Sequence, residues 1–123
     1  MLQITQEQMD ALNALHLNRF KTRLVQHLDE HFPGHLRALA SAERAEFLDH
    51  GIAEANAFDL KSEQDICIFF NIKMLLNVRG PFNSEAHGWV INILNDKQNG
   101  EPSERLAHLG AQVDAYLDAH RKI

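Results

Sequence analysis

Residues 66–78, ICIFFNIKMLLNV, leave this chain few ways to fold. At about 100° per residue, Ile66, Cys67, Ile68, Phe69, Phe70, Ile72, Met74, Leu75, Leu76 and Val78 cover almost the whole circumference of a helix. Only Asn71, Lys73 and Asn77 interrupt them. A helix that is apolar on every side belongs in the middle of a protein, with other helices packed about it. Its longest unbroken apolar run is residues 66–70, far short of the ~20 residues that span a bilayer. Cys67 is therefore expected to act as a small buried hydrophobe. Lys73 is expected at a gap in the packing, carrying its charge outward along its aliphatic stem.

Punctuation in the sequence places the other helices. Thr5 with Gln8 three residues later forms a capping-box start, and helical spacing then runs to about His31. Phe32-Pro33-Gly34 ends that helix, because proline cannot continue the hydrogen-bond ladder and restricts the residue before it. A short helix is expected at residues 35–39. Ser41 is expected to cap a second long helix through about Ala57, with Gly51 tolerated inside it, and Ser62 to open the third. The third is expected to end near Asn77, with Gly80 and Pro81 as stop signals. Asn83 or Ser84 opens a fourth that reaches Leu94 or Asn95, DKQNGE at 96–101 reads as loop, and Pro102-Ser103 introduces a last helix to about His120. No run has the period-two alternation of a strand. The expected fold is all-α: residues 1–123 as one domain, a bundle of five to six helices around a buried central helix at about 62–78.

A length of 123 residues suits one core. Twelve Lys and Arg against 17 Asp and Glu give a net charge of −5, which argues against a broad electrostatic footprint on nucleic acid or an anionic membrane. A helix-turn-helix regulator is the second alternative, but it needs a basic recognition helix, and no helix here is basic enough to serve. One cysteine excludes an internal disulfide and a cysteine-based zinc cluster. With neither a basic segment nor a long apolar run in MLQITQEQMDALN, no signal peptide is read, and the cytoplasm is the expected compartment.

The first helix contains His27-Leu28-Asp29-Glu30-His31, an H-x-x-E-H run. That is the inverted zinc-protease signature, in which two histidines one turn apart hold the metal and the glutamate is the base. With Met9 at zero, Phe20, Leu24 and Leu17 lie at about 20°, 60° and 80°, and His27 and His31 at about 0° and 40°. Asp29 and Glu30 lie at about 200° and 300°, so the glutamate is split from at least one of the histidines. A third ligand and a cleft would also have to come from a small chain. HLDEH is expected to be structural, with both histidines half-buried against the core. A small metal- or ligand-binding enzyme using His27 and His31 is the first alternative. The other six histidines are scattered, and G-x-S-x-G, phosphate-cradling glycine loops and C-x-x-C are all missing. No catalytic residue, metal or cofactor is expected.

The segment after the apolar helix, NVRGPFNSEAHGW at 77–89, must leave the core for the surface. It carries Arg79, Phe82, His87 and Trp89 beside turn-forming Gly80, Pro81 and Gly88. Arginine and tryptophan dominate interface hot spots, and a short loop held at both ends is cheap to order. These four residues are the expected contacts for another protein. The acidic face around Glu43, Glu46 and Asp49 is the next surface to consider.

Four phrases in order, ITQEQMDAL, RLVQHLDEHFP, FLDHGIAEANAFDLKSEQDI and WVINIL, cover roughly residues 4–95. In them the chain resembles a group of small uncharacterised helical proteins encoded beside the spike proteins, PAAR tips and Rhs-type toxins of type VI secretion clusters. The resemblance implies an accessory role in a toxin module, as an immunity protein or as an adaptor or chaperone that loads an effector. Its partner would be the toxin or a spike component. It implies no catalytic residues.

Overall fold

A computed structural model describes residues 5–82 and 85–121. Among them are five α-helices and no strand: α1 (Gln6–His31), α2 (Ser41–Ala57), α3 (Glu63–Leu75), α4 (Gly88–Asn95) and α5 (Pro102–Arg121), with one turn of 3-10 helix at Lys97–Asn99. The chain divides into two compact units, residues 1–39 and 40–123.

The first unit is α1 and the turns that follow it. The capping box forms as the sequence demands. Thr5 Oγ1 accepts from the Gln8 amide at 3.2 Å and Gln8 Oε1 accepts from the Thr5 amide at 2.9 Å. Phe20, Leu24 and Leu28 are buried. They form an i, i+4 row, which drifts around the helix by about 40° per step. The drift carries the row away from the stripe read off the wheel. Leu17 is 41% exposed, His31 is exposed and His27 is half-buried. The side chain of Met9, origin of that wheel, lies outside the described residues. Residues 33–38 are turns and not the short helix expected there. Gly34 takes φ +89°, and Ala38 N donates to its carbonyl at 3.1 Å.

The second unit is built on α3, which packs against α2 and α5, while α5 also packs against α4. Ala40, not Ser41, is the N-cap of α2, with no side-chain cap. Ser41 is thus the first helical residue. Phe47, Gly51 and Ala55 form the buried i, i+4 row of α2. Gly51 is more than tolerated: a Cβ there would meet Phe70 Cζ at 2.3 Å. The glycine is what allows the Phe70 ring to lie against α2, edge-on to Phe47 at 5.3 Å between centroids. Ser62 caps α3 by accepting from the Asp65 amide at 3.0 Å. From α3, Ile66, Phe69, Phe70, Ile72 and Lys73 are buried, but Leu75 is 41% exposed and Leu76 and Cys67 are half-buried. The helix is enclosed in its middle and emerges at its end. Burial pushes the Cys67 thiol pKa up from its ordinary value.

Both α2 and α3 end in Schellman motifs whose left-handed residue is not glycine. Asp59 (φ 63°) ends α2, with Leu60 N donating to Ala55 O at 3.0 Å. Asn77 (φ 57°) ends α3, with Val78 N donating to Lys73 O at 2.9 Å. Asn77 therefore stops α3, before Gly80 and Pro81 are reached. The fourth helix begins at Gly88, and the starts expected at Asn83 or Ser84 lie outside the described residues. Val90 and Leu94 of α4 and Leu106, Leu109 and Val113 of α5 are fully buried. Arg105 closes the α4–α5 connection by donating to Leu94 O at 3.1 Å and Gly100 O at 2.9 Å. No helix among the described residues is long and apolar enough to cross a membrane.

Candidate partner-binding site

The loop that leaves α3 is held by a buried charge. Lys73 is 1% exposed, the reverse of the outward-pointing side chain expected from sequence. Its ammonium donates to Glu54 Oε1 of α2 at 2.5 Å and to Gly80 O at 2.7 Å. It also lies over the Phe82 and Phe69 rings, 4.6 and 5.5 Å from their centroids. The other carboxylate oxygen of Glu54 accepts from the Phe82 amide at 2.8 Å. One carboxylate on α2 thus fixes both the lysine of α3 and the backbone of the loop. Burial lowers the Lys73 pKa below 10.5, opposed by the hydrogen bond and charge of Glu54. An ammonium that touches a carboxylate, a carbonyl and two ring faces has its donors answered, which is what such depth requires.

This anchoring separates the four residues expected to meet a partner. Arg79 is exposed. Phe82 is only 6% exposed: it turns inward, edge-on to Phe69 at 5.6 Å and to His87 at 5.6 Å. His87 is half-buried, and its Nδ1 is buried without a hydrogen-bond partner among the described residues. Phe82 and His87 are therefore brought together as packing and offer little surface. Trp89, in the first turn of α4, is half-buried and stacks on Tyr116 of α5, with centroids 5.5 Å apart and planes at 27°. Tyr116 is 42% exposed. Tyr116 is not among the residues expected from sequence. As the only tyrosine, on a helix otherwise rich in Ala and charge, it was the available signal. An indole and a phenol stacked across two helices, each helix buried through neighbouring residues such as Val90 and Val113, make a partly wetted aromatic surface.

The histidines of HLDEH stand side by side, rings 4.4 Å apart and tilted 45°, with Glu30 exposed. Among the described residues no group of three or more His, Cys, Asp or Glu side chains is placed to hold a metal ion. Compared with protein-family models, with curated proteins and with solved structures, the chain has no match.

Proposed function

We propose that this chain is a non-enzymatic, protein-binding accessory component of a type VI secretion toxin module, acting in the cytoplasm as an immunity protein or an effector adaptor. The module assignment rests on the four sequence phrases. The binding reading rests on one observation, the Trp89–Tyr116 stack. Tyrosine and tryptophan contribute most to interface energies when held rigid beside solvent, because little entropy is lost on docking. Arg79, on the exposed stretch that follows α3, is the second contact we assign. Phe82, packed on Phe69 and His87, anchors the stretch that carries Arg79.

The test is co-purification with the toxin or spike protein encoded beside it, comparing wild type with Trp89→Ala, Tyr116→Ala and Arg79→Ala variants of unchanged melting temperature. Capture by wild type, reduced at least about tenfold in Tyr116→Ala, is the expected result. Co-expression that restores growth to toxin-producing cells identifies an immunity protein, whereas loss of secretion without loss of protection identifies an adaptor. If no protein of the module is captured, the assignment fails.

A further inference from the structure

Arg79 sits in the middle of a stretch whose two sides are bonded to the same residue. On one side the Val78 amide donates to the backbone carbonyl of Lys73 at 2.9 Å. On the other the Gly80 carbonyl accepts from the Lys73 ammonium at 2.7 Å. Packing does not hold the stretch at Gly80. That residue is exposed, and a Cβ placed on it would meet nothing within 4 Å beyond its chain neighbours. An exposed carbonyl released from its donor turns to water, so folding does not depend on this bond. What the bond fixes is direction. Pro81 already restricts the backbone of Gly80, and Glu54 holds the Phe82 amide at the far end. Arg79 itself is exposed, and among the described residues its guanidinium has no hydrogen bond or ion pair.

We infer that Lys73 is a positioning residue for partner binding: it clamps residues 78–80 from both sides, so that Arg79 is presented in one direction to a carboxylate of the partner. This rests on the reading that Arg79 is a contact for another protein, and it adds the residue that orients it. An arginine on loose chain gives up backbone as well as side-chain freedom on docking. The clamp moves the backbone part of that cost into folding, before the partner arrives. A guanidinium takes a carboxylate through two parallel donors, a geometry that rewards a fixed approach. Lys73 is 1% exposed, so it does not meet the partner and its part is played through Arg79.

The test uses the full chain with Lys73→Met and Glu54→Gln together. This pair frees the Gly80 carbonyl, removes both charges at once and leaves the Phe82 amide an acceptor, so the fold is kept. Backbone amide relaxation by NMR should give order parameters of about 0.85 at Arg79 and Gly80 in wild type and below about 0.6 in the double variant, with α2 and α3 unchanged. Affinity for the toxin or spike protein encoded beside the chain is then compared as a cycle. Arg79→Ala alone should weaken binding about tenfold and the double variant about fivefold. Added to the double variant, Arg79→Ala should cost no more than about a further twofold, because the residue it removes is no longer presented. Trp89→Ala, on α4, should keep its full effect in both backgrounds. Any of four results overturns the inference: unchanged order parameters, wild-type affinity in the double variant, a full Arg79→Ala effect in that background, or a Trp89→Ala effect that also vanishes there, which marks a general loss of structure. In the second and third cases the proposed function stands. If no protein of the module is captured, the proposed function fails, and the order parameters decide the clamp by themselves: their fall keeps it and their constancy removes it.

Discussion

Glu54→Ala should be among the most damaging single changes in the second unit, and far worse than Lys73→Met, although the two remove opposite ends of one ion pair. The asymmetry follows from burial. Lys73 is 1% exposed and Glu54 16% at the side chain. Without Glu54, the ammonium keeps only the Gly80 carbonyl and two ring faces, and the Phe82 amide loses its acceptor. Stranding a buried charge costs about 3–5 kcal/mol. Without Lys73, the carboxylate reaches water and still accepts from Phe82, and a methionine stem refills the space, so the loss is about 1–2 kcal/mol. Lys73→Met with Glu54→Gln should lie within about 1 kcal/mol of wild type, because the amide oxygen retains the Phe82 bond and no charge is buried. Urea unfolding followed by circular dichroism and Trp89 fluorescence reads all four proteins. A pH series adds a sign. Because burial holds the folded pKa of Lys73 below 10.5, the unfolded chain binds the extra proton in the window between the two values. Stability relative to Lys73→Met therefore rises with pH through that window and is level above it. Glu54→Gln removes the opposing attraction and should start the rise at lower pH. Equal costs for Glu54→Ala and Lys73→Met, or stability falling with pH in that window, would refute the reasoning.

Three further changes probe the packing. Gly51→Ala gains about 1 kcal/mol of helix propensity but presses a methyl into Phe70, so a net loss of about 1–2 kcal/mol is expected. That loss should shrink in a Phe70→Leu background, and a raised melting temperature in the single variant would place the ring elsewhere. Phe69→Ala, at a side chain with no exposure that meets Phe58 and Phe82, should cost about 3–5 kcal/mol by urea titration. Asn77→Ala should cost about 1 kcal/mol for its left-handed backbone while Asn77→Gly stays within about 0.5; equal melting temperatures for alanine and glycine would mean that the turn has another conformation.

Much of the fold was legible because its signals are local. The Thr5–Gln8 box, the Ser62 cap and the start of α5 at Pro102 depend on a few neighbouring residues and stand where they were expected. The misses have other causes. Ser41 resembles a cap, but Ala40 has the extended backbone at the start of α2. The end of α3 near Asn77 also stands where it was expected, although the turn that makes it closes on Lys73 O and not at Gly80 and Pro81. Lys73 is the instructive case. On a wheel a lysine in an apolar helix reads as snorkelling, because nothing nearby in sequence announces a carboxylate 19 residues earlier, one helix away.

The same long-range contact explains why the residues that hot-spot composition picks out at 77–89 end in such different surroundings. Composition weights Phe82 as an aromatic in a loop. The loop's amide is bound to Glu54, however, and that bond turns the ring under the chain beside Phe69. Trp89 escapes this constraint because it sits on α4, whose register is set by Val90 and Leu94 facing inward. The position before Val90 on that helix must then lie at the margin of the core, half in water. Tyr116 reaches the same margin from α5, three residues beyond buried Val113. Each aromatic is thus placed at the surface by the burial of its helical neighbours, and their stacking follows from the packing of α4 on α5. Core residues fix the geometry of this surface in advance, so substitutions at Val90 or Val113 should disturb the stack, and with it the binding proposed there, although both side chains are fully buried.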